Sequence, residues 1–212
     1  MSPLISVVIP THNRPVRLER AVLSVLMQSG GPWDLEVLVV GDDTDARTVQ
    51  LMHEWMRVDS RVHFWNLPAQ VYPEDEGQKW CVLGLEARNW GFDHATGDYI
   101  AGLDDDDIWL PDWLETMVPE VQRLGVDVIY GRSTAFNPDG SIYGRYGKWP
   151  PEHFSYCEGA WLAKHDLGYR LDPACIERGL PEDGDKIDRM VAGGVKFAFV
   201  DKVIHHYFPE RR

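Results

Sequence analysis

The sequence predicts an α/β fold, with a mixed, mostly parallel central sheet and helices on both faces, in a single domain. Three observations predict it. Apolar, β-branched runs recur at residues 5–9, 35–40 and 62–67. Helix-period apolar spacing fills the intervals between them. The runs are nearly continuous rather than alternating, which is the mark of strands buried on both faces by helices. A chain of 212 residues suits one such domain, and 44% hydrophobic residues supply its core.

Taken in order, strand 5–9 stops at Pro10 and enters the loop Thr11-His12-Asn13-Arg14-Pro15. Leu18, Ala21, Val22, Val25 and Leu26 then follow the spacing of a helix with one buried face, ended at Gly30-Gly31. Strand 35–40 leads to the polar loop Gly41-Asp42-Asp43-Thr44-Asp45. Val49, Met52, Trp55 and Met56 mark a helix before strand 62–67. Residues 68–79 contain two prolines, a glycine and Glu74-Asp75-Glu76, and read as a long exposed loop. Ala87, Trp90 and His94 predict a helix, Ala95-Thr96-Gly97-Asp98 a turn, and 99–103 a strand. Beyond it the sequence predicts a helix over 111–124, a strand over 126–130 and a hairpin turning at Asn137-Pro138-Asp139-Gly140. A helix follows Pro181, and two short strands occupy 196–200 and 203–207. The regular alternation gives way near Asp104. We read two halves of one domain, about 1–107 and 108–212.

Composition narrows the partners. The formal charge of −13 disfavours nucleic acid or an anionic membrane as the main surface partner. Cys81, Cys157 and Cys175 are too few and scattered for a disulfide framework or a zinc knuckle. No basic region precedes the first apolar run, and no run approaches the roughly 20 residues of a membrane span. A cytoplasmic protein is expected.

Open parallel sheets bind ligands beyond the carboxyl ends of their strands, which directs attention to the loops after Ile9, Val40 and Leu103. The last carries Asp104-Asp105-Asp106-Asp107 between an apolar strand and an apolar segment. On extended backbone, Asp104 and Asp106 face one way and Asp105 and Asp107 the other. Adjacent carboxylates raise one another's proton affinity, and a hard divalent cation relieves that cost. The plain alternative is a solvated acidic run before a helix. Position in the sheet favours the cation. The spacing of glycine and glutamate excludes an EF-hand.

Four segments, in order, carry a resemblance to glycosyltransferase family 2, inverting enzymes of the GT-A fold, a Rossmann-like architecture. They are Val7-Val8-Ile9-Pro10-Thr11-His12-Asn13-Arg14-Pro15, then Val39-Val40-Gly41-Asp42 with Thr44-Asp45. Ala87-Arg88-Asn89-Trp90-Gly91 through Thr96-Gly97-Asp98 to Asp107-Ile108-Trp109-Leu110-Pro111 is the most specific. Pro181-Glu182-Asp183 to Arg189 is the last. The resemblance implies transfer of a sugar from a nucleoside-diphosphate donor, a UDP-sugar by family habit, with Mn2+ or Mg2+. Pro10, Thr11, Asn13, Arg14, Asp42, Arg88, Asp104 and Asp105 would then bind the donor. Asp104 and Asp106 would be the Asp-x-Asp pair at the metal, joined by His206 or His205, of which strand alternation lets only one face inward. Asp183 would be the general base, chosen from the three acids Glu182, Asp183 and Asp185. The acceptor would be a glycan, a lipid-linked sugar or a small molecule, with Trp149, Tyr156 and Trp161 as candidates to stack on it. The sequence departs from the family at Gly41, where many relatives carry an acid, and at Gly184, where an aromatic residue is common. Two rival readings are a nucleotidyltransferase and a catalytically silent fold that binds nucleotide or sugar.

Overall fold

The computed structural model describes residues 2–28, 31–152 and 156–208. Its strands are β1 (Leu4–Thr11), β2 (Asp34–Asp42), β3 (Val62–Leu67), β4 (Tyr99–Gly102), β5 (Ile108–Trp109), β6 (Val128–Phe136), β7 (Ile142–Tyr146), β8 (Trp161–Lys164) and β9 (Phe197–Tyr207). They form one sheet in the order β3-β2-β1-β4-β8-β6-β9-β5, with β7 paired to β6. The β3-β2-β1-β4 side is parallel throughout. β8 is antiparallel to β4 and β6, and β9 is parallel to β6, so β6 and β9 run with the first four strands. The sheet is therefore mixed and mostly parallel, as expected.

The helices are α1 (Pro15–Leu26), α2 (Ala46–Val58), α3 (Glu76–Trp80), α4 (Leu85–His94), α5 (Trp113–Leu124) and α6 (Glu182–Ala192). Strand alternation sorts the core into two layers. Ile5, Val7 and Ile9 pack with Leu18, Val22, Met52 and Met117 beneath α1, α2 and α5. Val8 and Leu38 pack with Leu85, Phe92, Ile187 and Met190 beneath α4 and α6. No helix among the described residues is long and apolar enough to cross a membrane.

Several expectations need correction. Residues 68–79 are not loop throughout, because α3 begins at Glu76 and is capped by Asp75, whose side chain accepts from Gln78 N at 2.9 Å. The two short C-terminal strands are one strand, β9, with a register shift against β6; the exposed Asp201 and Lys202 sit in this irregularity and resemble a turn in sequence. Strand 126–130 extends to Phe136 as β6. The helix expected from Pro111 starts at Trp113. β5 and β8 are too short to announce themselves. Gly30 lies outside the described residues, whereas α1 closes at Leu26.

Two glycines permit the close approaches that aim α4 and β4 at the site. A Cβ on Gly91 would lie 2.4 Å from Val8 Cγ1, so α4 rests directly on β1. A Cβ on Gly97 would lie 2.7 Å from the Leu4 carbonyl oxygen, which forces the turn into β4 to be bare. Val8 is fully buried and cannot yield. Gly91→Ala is therefore expected to lower the unfolding free energy by about 1–3 kcal/mol in urea denaturation.

Candidate active site

β1 has β2 on one side and β4 on the other, so the chain reverses its direction of travel across the sheet between β1 and β4. Loops leaving adjacent strands diverge at such a point and leave a crevice. Here the loops after β1 and β4 are cross-linked: Thr11 Oγ1 donates to Asp105 Oδ2 at 2.7 Å, and Arg14 Nη1 to Asp105 Oδ1 at 2.9 Å. Asn13 adopts a positive φ of 56°, which asparagine tolerates better than most residues. Its N–H donates to Thr44 Oγ1 at 2.9 Å, and its Oδ1 accepts from Asp45 N at 2.6 Å, joining the β1 and β2 loops. Buried Pro10 supports Gly84 at the start of α4.

The four aspartates form a turn rather than extended chain, closed by Asp107 N donating to Asp104 O at 3.1 Å. Alternation survives in their burial: Asp105 and Asp107 are buried, whereas Asp104 and Asp106 keep exposed surface. Asp107 turns to β9, accepting from Phe208 N at 2.8 Å. Asp106 meets Arg14 and Arg17 only at 3.4 Å each. Burial, followed by repulsion from Asp104, Asp107 and Asp105, pushes the Asp106 carboxyl up to about 8. Burial raises Asp105 as well, opposed by Arg14 and Thr11.

Arg88 is buried on α4 and bridges two elements. It pairs with Asp104 after β4, and its Nη1 donates to Glu182 Oε1 at 3.0 Å on α6. Burial opposes the charge on Arg88, but Asp104, Glu182 and Glu158 outweigh it and hold the guanidinium's pKa above its usual value. Glu182 fares differently, because burial pushes its carboxyl up to about 8 against the pull of Arg88. Asp185 is taken up by Arg178 and by Arg189, whose Nε lies 2.7 Å from it. Of the three acids on the first turn of α6, only Asp183 makes no ion pair among the described residues. It keeps some exposed surface, yet surrounding protein desolvates it enough to raise its pKa, with Glu158 adding to the rise.

Asp42, at the end of β2, is buried; its Oδ2 accepts from the Tyr72 hydroxyl and its Oδ1 has no hydrogen-bond partner among the described residues. The glycine before it has a steric cause: a Cβ on Gly41 would lie 2.5 Å from Asn66 Oδ1, so β3 fills the space an acid there would need. Of the two histidines, His205 faces inward and His206 packs edge-on against Phe136 at 4.8 Å. His205 Nε2 approaches Asp107 Oδ2 at 3.0 Å, off hydrogen-bond alignment, and not Asp104 or Asp106. Its burial depresses its pKa to about 4. Tyr156 and Trp161 are core residues, whereas Trp149 is 56% exposed.

No group of three or more His, Cys, Asp or Glu among the described residues is placed to hold a metal ion. Asp104 and Asp106 instead offer a crowded two-carboxylate set. That suits a hard cation whose remaining ligands come from phosphate and water. Sequence reasoning missed Tyr72, hidden in a segment read as loop, and the pairing of Glu182 with Arg88, residues 94 positions apart.

The chain matches the model of "Glycosyl transferase family 2" over residues 6–168. The chain belongs to glycosyl transferase family 2. The match takes in the β1, β2 and β4 loops and ends before α6. The glycosyltransferase GlyG of Streptococcus pneumoniae is 30% identical over 144 residues, 68% of this chain and 44% of the relative. A UDP-Glc:alpha-D-GlcNAc-diphosphoundecaprenol beta-1,3-glucosyltransferase of Escherichia coli is 29% identical over 143 residues, 68% of this chain and 50% of the relative. The chain thus spans half or less of the length of these relatives. Among solved structures, S. aureus TarS 1-349 in complex with UDP-GlcNAc aligns with a TM-score of 0.72 at 15% identity, covering 100% of this chain and 60% of TarS. A Pyrobaculum calidifontis mannosyltransferase in complex with GDP-Man and Mn2+ aligns with a TM-score of 0.67 at 15% identity, covering 100% of this chain and 59% of that one. These likenesses establish the GT-A fold.

Arg88→Met would strand two carboxylates in partly buried positions. The expected loss is about 3–5 kcal/mol of stability in chemical denaturation, the cost of breaking rather than replacing a buried ion pair.

Proposed function

We propose that this chain acts in the cytoplasm as a divalent-metal-dependent, inverting glycosyltransferase, moving sugar from a nucleoside diphosphate, foremost UDP, to an acceptor hydroxyl. The observation that carries this reading is the sorting of the α6 acids. Arg88 engages Glu182, Arg178 and Arg189 engage Asp185, and Asp183 is left to accept a proton. Residues 1–107 would hold the donor and residues 108–212 receive the acceptor.

Asp42 supports a donor base that carries an N–H, because its buried Oδ1 is otherwise an unsatisfied acceptor. Thr11, Asn13, Arg14 and Asp105 would line the donor side, with Arg14, bonded to the acid turn at Asp105, the residue to meet diphosphate oxygens. Asp104 and Asp106 would hold the cation, which when bound supplies positive charge to the departing diphosphate. The acceptor oxygen displaces the diphosphate at the anomeric carbon, the bonding pair leaves with the phosphate oxygen, and Asp183 takes the acceptor proton. One displacement inverts the centre. The name of the Escherichia coli relative specifies a lipid diphosphate acceptor, which favours a lipid-linked sugar here among glycans and small molecules.

Binding and chemistry separate experimentally. UDP with Mn2+ is expected to raise the melting temperature, and Asp106→Ala to abolish that rise. Absence of any metal-dependent shift with UDP, GDP or dTDP would remove the donor-site assignment. In Asp183→Asn the shift should persist while release of nucleoside diphosphate during transfer falls about 100-fold or more. Unchanged release would remove Asp183 as base.

The sign of the pH dependence follows. Asp183 must be ionised to accept a proton, and its pKa is raised by burial and then by Glu158. Activity should therefore be lost as pH falls through a value above the usual carboxylate range, read from the acid limb of the kcat/KM profile.

A further inference from the structure

Glu158 and Lys186 are 6% and 1% exposed, and the chemistry above uses neither. Lys186 Nζ lies 3.5 Å from Glu158 Oε2, and Trp161 Nε1 donates to the same oxygen at 3.2 Å. The ammonium also sits 4.0 Å from the Trp161 ring centroid and 5.5 Å from that of Phe92. Glu158 Oε1 is buried with no hydrogen-bond partner among the described residues. A buried lysine–glutamate pair is often no more stabilising than two apolar side chains of the same volume. Packing alone therefore gives no reason for these two residues.

Their location does. Lys186 follows Asp183 by three residues on α6, which places both on one face of the helix. Glu158 lies under the end of β4, where a Cβ on Gly102 would come 2.2 Å from its Oε1. The segment carrying Glu158 is held firmly. Trp109 and Trp113, stacked at 3.8 Å, both donate to the Gly159 carbonyl, at 2.8 and 3.0 Å.

We infer that Glu158 and Lys186 are positioning residues for Asp183, a buried ion pair joined to it through the shared face of α6, and that together they set how tightly its carboxylate holds a proton. The inference rests on the reading of Asp183 as general base. Glu158 is the foremost charge raising Asp183, and Lys186 and then Arg88 oppose it. The other groups acting at this position are Glu182 beside it, Cys81 at the end of α3, and Tyr156 and Cys157 ahead of Glu158. Asp185 is engaged by Arg178 and Arg189. A base must be ionised at working pH and still hold a proton well. Glu158 serves the second need and Lys186 the first.

The test needs no substrate. The full chain, labelled with 13C-carboxyl aspartate, is titrated by NMR, and the Asp183 resonance is assigned by its loss in Asp183→Asn. Lys186→Met is expected to move its midpoint up by about one pH unit, and Glu158→Gln to move it down by about one. The double variant should return to within about half a unit of the parent. A merely structural pair would lower the melting temperature and leave the midpoints in place, and that result overturns the inference. So does movement of both in one direction. If Lys186→Met does not fold, Glu158→Gln decides alone: a lowered midpoint supports the coupling and an unmoved one overturns it. Transfer assays on Asp183→Asn test the base separately. Lost transfer with unmoved midpoints removes only the coupling, whereas retained transfer removes the base.

Discussion

Arg88 joins two acidic segments that would otherwise repel, the turn after β4 and the first turn of α6. Its reach depends on α4 lying hard against β1, which the bare Cα of Gly91 allows. It also depends on how α4 begins: Gly84, with φ 74°, sits so close that a Cβ there would be 3.3 Å from Arg88 Nη1. Two backbone positions without side chains thus set the path of one guanidinium. That guanidinium in turn fixes Asp104 relative to Glu182, and so the acid turn after β4 relative to the first turn of α6. Charges this enclosed add little net stability, since desolvation offsets most of their attraction. What they specify is geometry.

The parallel side of the sheet was legible because its physics is written locally. Residues 5–9 and 35–40 are apolar except at Ser6 and Glu36, whose side chains hydrogen-bond to each other, and the ligand crevice follows from where such strands end. The other side depends on pairing. β5 has two residues and β8 four, and each exists because a longer neighbour supplies its hydrogen bonds. The break read into β9 came from Asp201-Lys202, polar residues that sit in an exposed irregularity of a continuous strand.

At the site, the sequence placed the carboxylates but not their obligations. Alternation assigned Asp104 and Asp106 to one side and Asp105 and Asp107 to the other, and burial agrees, although the backbone reaches that result through a turn. Glu182, Asp183 and Asp185 are indistinguishable as three acids at a helix start. They become distinct only when Arg88, Arg178 and Arg189 arrive from elsewhere in the fold and along α6. Tyr72 was invisible for the same reason, since nothing near it in sequence signals a buried carboxylate 30 residues away.

These charges also bear on what the crevice can accept. A nucleoside diphosphate brings negative charge to a turn that already holds four carboxylates. Arg14 and Arg17 meet Asp106 only at 3.4 Å, and Arg88 is committed to Asp104 and Glu182. The crowding is felt at Asp106, whose carboxyl is pushed up to about 8 by burial and three neighbouring aspartates against the pull of Arg14. Two like charges 4 Å apart repel by about 4 kcal/mol at an effective dielectric of 20. An anionic donor approaching such a turn would meet less repulsion if positive charge came with it. Asp104 and Asp106 are the residues that would hold a divalent cation, and such a cation would supply that positive charge. A reoriented Arg14 would supply it only by releasing Asp105, which is buried and would lose its ion pair. If the proposed donor binds here, the commitment of Arg14 to buried Asp105 is the reason a cation would serve better than that arginine as its counter-charge.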